Sequence, residues 1–160
     1  MRNKKVLRIT QAAMIAAIYV VLTVFISAFN LASGAIQVRI SEALTILPVF
    51  TPAAIPGLFL GCLISNLVTG CMPLDVVFGS LATLIGACGT YALRKHKWLA
   101  PIVANTIIVP FVLRYVYLAE GTIPFFMLTV GIGEVISCYL LGSILHRVLD
   151  RYKEHIFKED

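Results

Sequence analysis

The sequence predicts an all-helical membrane protein with six transmembrane helices and both termini in the cytoplasm. Of its 160 residues, 59% are hydrophobic and 13% are charged, and the mean hydropathy of +0.93 is far above that of an average soluble domain. Eleven of the thirteen Lys and Arg residues lie in three short clusters, within 2–8, 94–97 and 147–158. Long apolar stretches separated by basic clusters predict membrane spans whose positive ends face the cytoplasm.

The apolar stretches have the lengths that a bilayer requires. A hydrocarbon core of about 30 Å needs about 20 helical residues per crossing. Four stretches satisfy this directly, and the region 32–68 is long enough for two shorter, distorted spans. The predicted spans, all in one membrane domain covering 1–160, are 8–29, 32–50, 53–68, 75–93, 99–118 and 122–146.

The predicted topology brings every basic cluster to the cytoplasmic side and makes 30–37, 69–74 and 119–121 outer loops. The net charge of +5 could also suggest a nucleic-acid partner. These charges flank apolar spans instead of forming a stripe, so we predict contact with a lipid bilayer and with no nucleic acid. The first apolar run, of about twenty residues, is longer than a signal-peptide core and is predicted to be a retained span.

No motif of a known enzyme class is present. The sequence contains no phosphate-binding loop, no zinc-hydrolase motif and no serine-hydrolase elbow. The four cysteines are scattered without metal-ligand spacing, which favours a packing role for them. We therefore predict a protein that is not an enzyme and that has no cofactor and no metal site.

Small residues are paired along the first span. Ala12 with Ala16, and Ala13 with Ala17, form two overlapping pairs four residues apart. Such pairs let another helix approach to backbone contact, which is a major source of helix association in lipid. The spacing leaves two alternatives open, namely packing against another span of the same chain or docking of a partner helix.

Small residues also recur along one face of the fourth span, at steps of three and four residues. They are Gly79, Ala82, Gly86 and Gly89. The resulting groove either packs a neighbouring helix or admits a flat ligand.

Six charged residues interrupt the apolar region, and the predicted topology places them in the outer half of the membrane or near its midplane. They are Arg39, Glu42, Asp75, Arg114, Glu120 and Glu134. Glu134 lies about 12 residues into the sixth span, or roughly 18 Å along its axis. A carboxylate at this depth is costly unless it is paired or protonated, and it usually faces a cavity or the bundle interior. Glu134 is therefore the first candidate for ligand contact.

Three of these charged residues allow two interpretations each. Arg39 and Glu42 are three residues apart and can form a structural pair on one helical face. They can also frame the mouth of a ligand cavity, with the loop 30–37 as a lid. Asp75 stands at a predicted helix N-terminus, where it can cap free N–H groups or contact a ligand.

Five further residues are weaker candidates for ligand contact: Asn66, Phe78, Asn105, Arg114 and Tyr115. Arg114 and Tyr115 can simply belong to the outer interfacial belt. Asn105 and Arg114 are nine residues apart, about two and a half turns, so they face the same cavity only if the helix is kinked between them.

Three sequence blocks carry a resemblance to a known family. They are QVRISEALT at 37–45, FTPAAIPGLF at 50–59 and LDVVFGSLATL at 74–84. With the basic N-terminus and the alanine pairs, the chain resembles the QueT family, the substrate-binding S components of energy-coupling factor (ECF) transporters assigned to queuosine precursors. The resemblance implies a six-helix bundle of the bacterial cell membrane that works with a transmembrane coupling subunit and two cytoplasmic ATPase subunits. It also implies that Ala12, Ala13, Ala16 and Ala17 contact the coupling subunit and that the ligand site lies in the outer half, largely on the later helices.

A 7-deazaguanine ligand would suit the candidate residues. Its adjacent N–H groups can donate to Glu134 or Glu42, its carbonyl can accept from Arg39, Arg114 or an Asn, and its flat face can stack on Phe78 or Tyr115. The six interrupting charges sum to −2, which favours the cationic aminomethyl precursor over the neutral nitrile. Three alternatives stay open: an S component for another vitamin-like or purine-like ligand, an autonomous proton-coupled carrier in which Glu134 titrates, and a small membrane enzyme or structural bundle.

Overall fold

The computed structural model describes residues 4–28 and 38–157, and all regular elements in these ranges are helices. The predicted all-helical fold is thereby confirmed. Helix α6 is continuous through three segments, of which the middle one is a π-helical turn. The helices are α1 (Lys4–Ala28), α2 (Ile40–Val49), α3 (Ala54–Val68), α4 (Pro73–Ala92), α5 (Leu99–Tyr115) and α6 (Ile123–Glu134, Val135–Leu141 and Gly142–Ile156).

Three of the helices have the length and composition to cross a membrane: Lys4–Ala28, Pro73–Ala92 and Ile123–Lys153. The other three, α2, α3 and α5, are apolar but shorter than 18 residues. They occupy the predicted second, third and fifth spans, so the six-span arrangement and the sidedness of the termini stay predictions. The predicted lid loop 30–37, which includes the start of the second span, lies outside the described residues.

Helix α2 is a 3₁₀ helix of ten residues, although such helices rarely exceed three or four residues. It packs against α1, α4 and α6, and its residues from Ser41 to Pro48 are all buried. Because a 3₁₀ helix rises about 2.0 Å per residue, α2 spans roughly 20 Å inside the bundle. This central position takes the side chain of Glu42 fully out of solvent.

Helices α1 and α3 meet at backbone distance. A Cβ atom on Gly57 would lie 2.8 Å from the carbonyl oxygen of Ala12, and one on Gly61 would lie 3.1 Å from the Cα of Ala16. Gly57 and Gly61 thus form a G-x-x-x-G contact that only glycine permits. Of the two alternatives for the alanine pairs, internal packing applies to Ala12 and Ala16. Ala13 is exposed, and docking of a partner helix there stays a prediction.

The small-residue face of α4 packs a helix. A Cβ atom on Gly86 would lie 2.8 Å from the Cα of Pro101, and one on Gly89 would collide with Ala100. Both neighbours belong to the first turns of α5. Of the two interpretations of this face, helix packing therefore applies to its inner half.

The end of α6 packs against the turn between α2 and α3. The ring of Phe157 stacks on the ring of Phe50 with centroids 5.4 Å apart, and His146 lies 5.1 Å from the same ring. Beside them, Thr51 donates a hydrogen bond of 2.9 Å to the Gln11 amide oxygen. These contacts join α1, α2 and α6 at the end where the basic clusters lie.

Candidate functional site

A cavity of about 440 Å³ lies where α1, α3 and α5 end and α2 and α4 begin. In the predicted topology this is the outer side of the bundle. The lining combines hydroxyl, amide and charged groups with a large apolar wall of aliphatic side chains. The lining residues are Thr23, Ile26, Ser27, Arg39, Ile40, Ser41, Asn66, Thr69, Cys71, Asp75, Val109, Val112, Leu113 and Tyr117.

Asp75 and Arg39 give the cavity one charge of each sign. Asp75 is 6% exposed, and its Oδ2 accepts a hydrogen bond of 2.7 Å from the Tyr117 hydroxyl. The hydroxyl oxygen of Tyr117 in turn lies 3.3 Å from the donating Met72 amide. Tyr117 thus holds one oxygen of the carboxylate at the cavity wall. The two interpretations of Asp75, ligand contact and helix capping, both stay predictions.

Arg39 lies outside the helix that the sequence predicted for it. Its backbone is extended (φ −101°, ψ 97°), and α2 begins only at Ile40. The direct contact between Arg39 and Glu42 is the backbone hydrogen bond of 3.0 Å from Glu42 N to Arg39 O. The predicted side-chain pair on one helical face does not form among the described residues, because Arg39 precedes the helix. Arg39 and Asp75 both line the cavity.

A cluster of buried acids lies behind the cavity. Glu42 is 0% exposed and Glu134 is 5% exposed. Acceptor and donor atoms of Glu42, Glu134 and Cys138 all lie within 4.8 Å of one another. The Asn105 amide lies beside both carboxyl groups. Two predicted candidates, separated by most of the sequence, thus meet in the centre of the bundle.

The two carboxyl groups are unevenly satisfied. Glu42 Oε1 accepts from the Tyr19 hydroxyl at 2.5 Å and lies 3.4 Å from Thr83 Oγ1. Glu134 Oε2 accepts from Cys138 Sγ at 3.2 Å. Among the described residues, Glu42 Oε2 has no hydrogen-bond partner. A buried carboxylate oxygen without a partner carries a desolvation cost that a ligand donor can remove.

Side-chain contacts connect the cavity with this cluster. Asn66, which lines the cavity, lies with its Nδ2 3.6 Å from Cys62 Sγ. Thr83 Oγ1 is 3.4 Å from the same sulfur and also reaches Glu42. Ser41 lines the cavity and directly precedes Glu42 in the chain. A series of contacts through Cys62 and Thr83 thus leads from the cavity wall to Glu42.

Three predicted contact residues lie away from both places. Phe78 is 45% exposed and Tyr115 is 67% exposed on the bundle surface. Arg114 is also exposed and donates to the Ala119 carbonyl at 3.2 Å. The resemblance also placed the ligand site largely on the later helices, whereas the described lining of the cavity comes from α1 to α5 and their connections.

Several residues of the site had no signal that singled them out. Tyr19 and Thr83 are ordinary residues of apolar spans, and Tyr117 has the position typical of an aromatic residue at a membrane interface. Cys138 was interpreted as a packing residue, although its position four residues after Glu134 places both on one helical face. The π-helical turn that follows Glu134 was not foreseen either, and such turns often occur at functional sites.

The donor set of the acid cluster is also of a kind that metals use. Two carboxylates and a thiol can ligate a cation such as Zn²⁺. Cys138 acts here as a hydrogen-bond donor to Glu134, whereas a metal takes the deprotonated sulfur. The cluster thus offers oxygen acceptors to a ligand with N–H donors and a donor set to a metal ion.

Comparison with known proteins shows the family of the chain. The QueT transporter family matches residues 9–151, which include the described cavity and the acid cluster. The curated protein "Queuosine precursor transporter QueT" of Lactococcus lactis subsp. cremoris (strain MG1363) is 35% identical over 85 residues, which are 53% of this chain and 50% of that relative. The match thus spans about half of the relative's length, and no solved structure matches the chain. With a family match over most of its length and long apolar helices, the chain is a membrane protein and belongs to the QueT transporter family.

Proposed function

We propose that this chain is the substrate-binding S subunit of an ATP-driven ECF importer and captures a queuosine precursor of the 7-deazaguanine type outside a bacterial cell. The observation that supports the proposal is the cavity between the ends of α1 to α5, which is lined by charged, amide and hydroxyl groups together with aliphatic ones and lies on the predicted outer side. Polar and charged groups that face inward in a membrane bundle usually serve a hydrophilic substrate. The name of the matched relative supports a queuosine precursor as that substrate.

The cavity has the size and chemistry for a bicyclic base. Its volume of about 440 Å³ lies in the usual range of small-molecule sites. The Asp75 carboxylate can accept adjacent N–H groups, and Arg39 and Asn66 can donate to a ring carbonyl. Tyr117, which lines the cavity, takes the aromatic role that the sequence had suggested for Phe78 or Tyr115.

A second surface supports the partnership with a coupling subunit. Arg8 and Leu60 line an apolar groove of about 510 Å³, here called the alanine groove. The groove combines the exposed Ala13 and the half-buried Ala12 of α1 with two prolines at or just before the start of α3, a surface that a partner helix can approach closely. We assign it to the transmembrane coupling subunit, which joins two cytoplasmic ATPases. The remaining lining residues are Ile9, Ala12, Ala13, Pro52, Ala53 and Pro56.

The substrate is tested by titrating the purified protein with deazaguanines. We expect saturable binding of 7-aminomethyl-7-deazaguanine and weaker binding of the 7-cyano form, because the acids of the site outnumber its cations. Equilibrium dialysis with labelled ligand measures both. Binding of an unrelated vitamin or purine in place of both compounds would favour the S component for another ligand.

The energy source is tested with proteoliposomes that contain this chain alone. They should bind the precursor without concentrating it, even with ATP inside or a proton gradient, because the ATPases of the importer are separate subunits. Filtration assays measure the accumulated label, and vesicles reconstituted with the coupling and ATPase subunits serve as the positive control. Gradient-driven accumulation by the chain alone would instead support the autonomous carrier.

A further inference from the structure

We propose that Glu42 and Glu134 form a cation subsite, which receives a primary ammonium group of the substrate while Asp75 receives its ring N–H groups. This inference rests on the proposed function and adds the orientation of the substrate. It also names the chemical feature that the buried acids select. The substrate class is thus a base that carries a short cationic arm.

The two acids need a cationic or N–H partner. Their carboxyl groups lie within 4.8 Å of each other, and both side chains are at least nine-tenths buried. Negative charge in such surroundings is costly unless it is paired and hydrogen-bonded. Glu42 Oε2 has no partner among the residues that the structure describes. The pair therefore offers a carboxylate oxygen that can accept a hydrogen bond from a ligand, in a position buried from bulk solvent.

An ammonium group matches the acceptors of the pair. It is compact and carries three N–H donors and no acceptor. The acceptors within reach are Glu42 Oε2 and the Glu134 carboxyl group, and the Asn105 amide lies beside both acids. A ring edge is planar and larger, so it fits the cavity at Asp75 better than this enclosed cluster. A neutral nitrile offers no donor and gains nothing there.

The cavity gives the arm a direction. With the ring between Asp75 and Arg39, an arm of one carbon points past Ser41 and Asn66, which line the cavity. Behind them, Thr83 connects Cys62 to Glu42 through contacts of 3.4 Å. The proposal requires the small side chains on this route to move aside so that the arm reaches the acids. The ring thus stays at the outer end while the charge goes inward.

The test compares four variants with two probes. We expect Glu134→Gln and Glu42→Gln to weaken binding of 7-aminomethyl-7-deazaguanine by roughly ten- to a hundredfold, as for lost charge-assisted hydrogen bonds. The same variants should change binding of 7-cyano-7-deazaguanine by less than about threefold. Asp75→Asn should weaken both probes alike. Glu120→Gln, which removes an exposed outer carboxylate, is the matched control and should change neither.

Size-exclusion profiles and thermal unfolding show whether each variant folds. If Glu42→Gln does not fold, the test rests on Glu134→Gln, because Glu134 makes fewer hydrogen bonds within the chain than Glu42 does. Equal losses for the two probes at Glu134, or no loss, would overturn the inference and leave the proposed function intact. Selective loss of the amine in Asp75→Asn would also overturn it by reversing the orientation. If the wild-type protein binds neither probe, the proposed function itself fails.

Discussion

Ala13→Leu is expected to abolish uptake of the precursor by cells while binding to the purified protein stays within about twofold of wild type. Ala13 is exposed on α1 and lines the alanine groove. If a helix of the coupling subunit docks in this groove, as we propose, a leucine there fills the space it needs. Ala13 lies ten residues, or about 15 Å of helix rise, from the cavity residue Thr23. Uptake of labelled precursor in cells with the complete importer, together with equilibrium dialysis, measures the two effects.

The matched variant is Ala16→Leu, three residues further along the same helix. Ala16 is 8% exposed and packs on Gly61 of α3. A leucine at this position should reduce folding, binding and uptake together, because α1 and α3 can no longer meet at backbone distance. If Ala13→Leu lowers binding as much as uptake, the alanine groove is part of the folded core and not a docking surface.

Gly61→Ala is expected to lower the free energy of unfolding by about 1–3 kcal/mol or more, as overpacking of a tight contact does. The added Cβ would lie 2.8 Å from the Cβ of Tyr19 and 3.1 Å from the Ala16 backbone, which cannot move away without separating the helices. Tyr19 donates to Glu42, so substrate binding should weaken as well. Thermal unfolding in detergent, with and without ligand, measures both changes.

Gly131→Ala on α6 is the control for this substitution. A Cβ atom there meets Thr106 at 3.5 Å, an ordinary contact distance, and the glycine lies within a helix. Since alanine is the better helix former, the variant should be neutral or slightly more stable. Equal unfolding temperatures for Gly61→Ala and wild type would show that α1 and α3 are not held in the close contact described.

The sequence predicted the helical class, the region of each apolar helix and the family. These follow from hydropathy and from short motifs, which are local properties of the chain. It also selected Glu42, Asp75, Asn105 and Glu134, because a polar group inside a membrane span is costly unless it has a role. Their division between a cavity and a buried cluster followed only from the three-dimensional arrangement.

The contact between Glu42 and Glu134 could not be predicted from the sequence. The two residues are 92 positions apart in the chain, and the association of their helices in lipid depends on shape complementarity that hydropathy does not encode. The exposure of Phe78 on the bundle surface could not be predicted for a related reason. A membrane helix is apolar towards lipid as well as towards its neighbours, so its pattern does not identify the inward face.

The length of α6 has a mechanical consequence. Its continuous helix, Ile123–Lys153, has 31 residues, or roughly 46 Å of rise, whereas a bilayer core is about 30 Å thick. One helix therefore carries Glu134 in its first half and ends beside Phe157, which stacks on Phe50. A small tilt of this helix around the acid cluster moves its far end by a larger distance. If the chain is the S subunit that we propose, neutralising the charge on Glu134 can thus shift the helix end that carries the basic cluster, which the predicted topology places on the side of the ATPases.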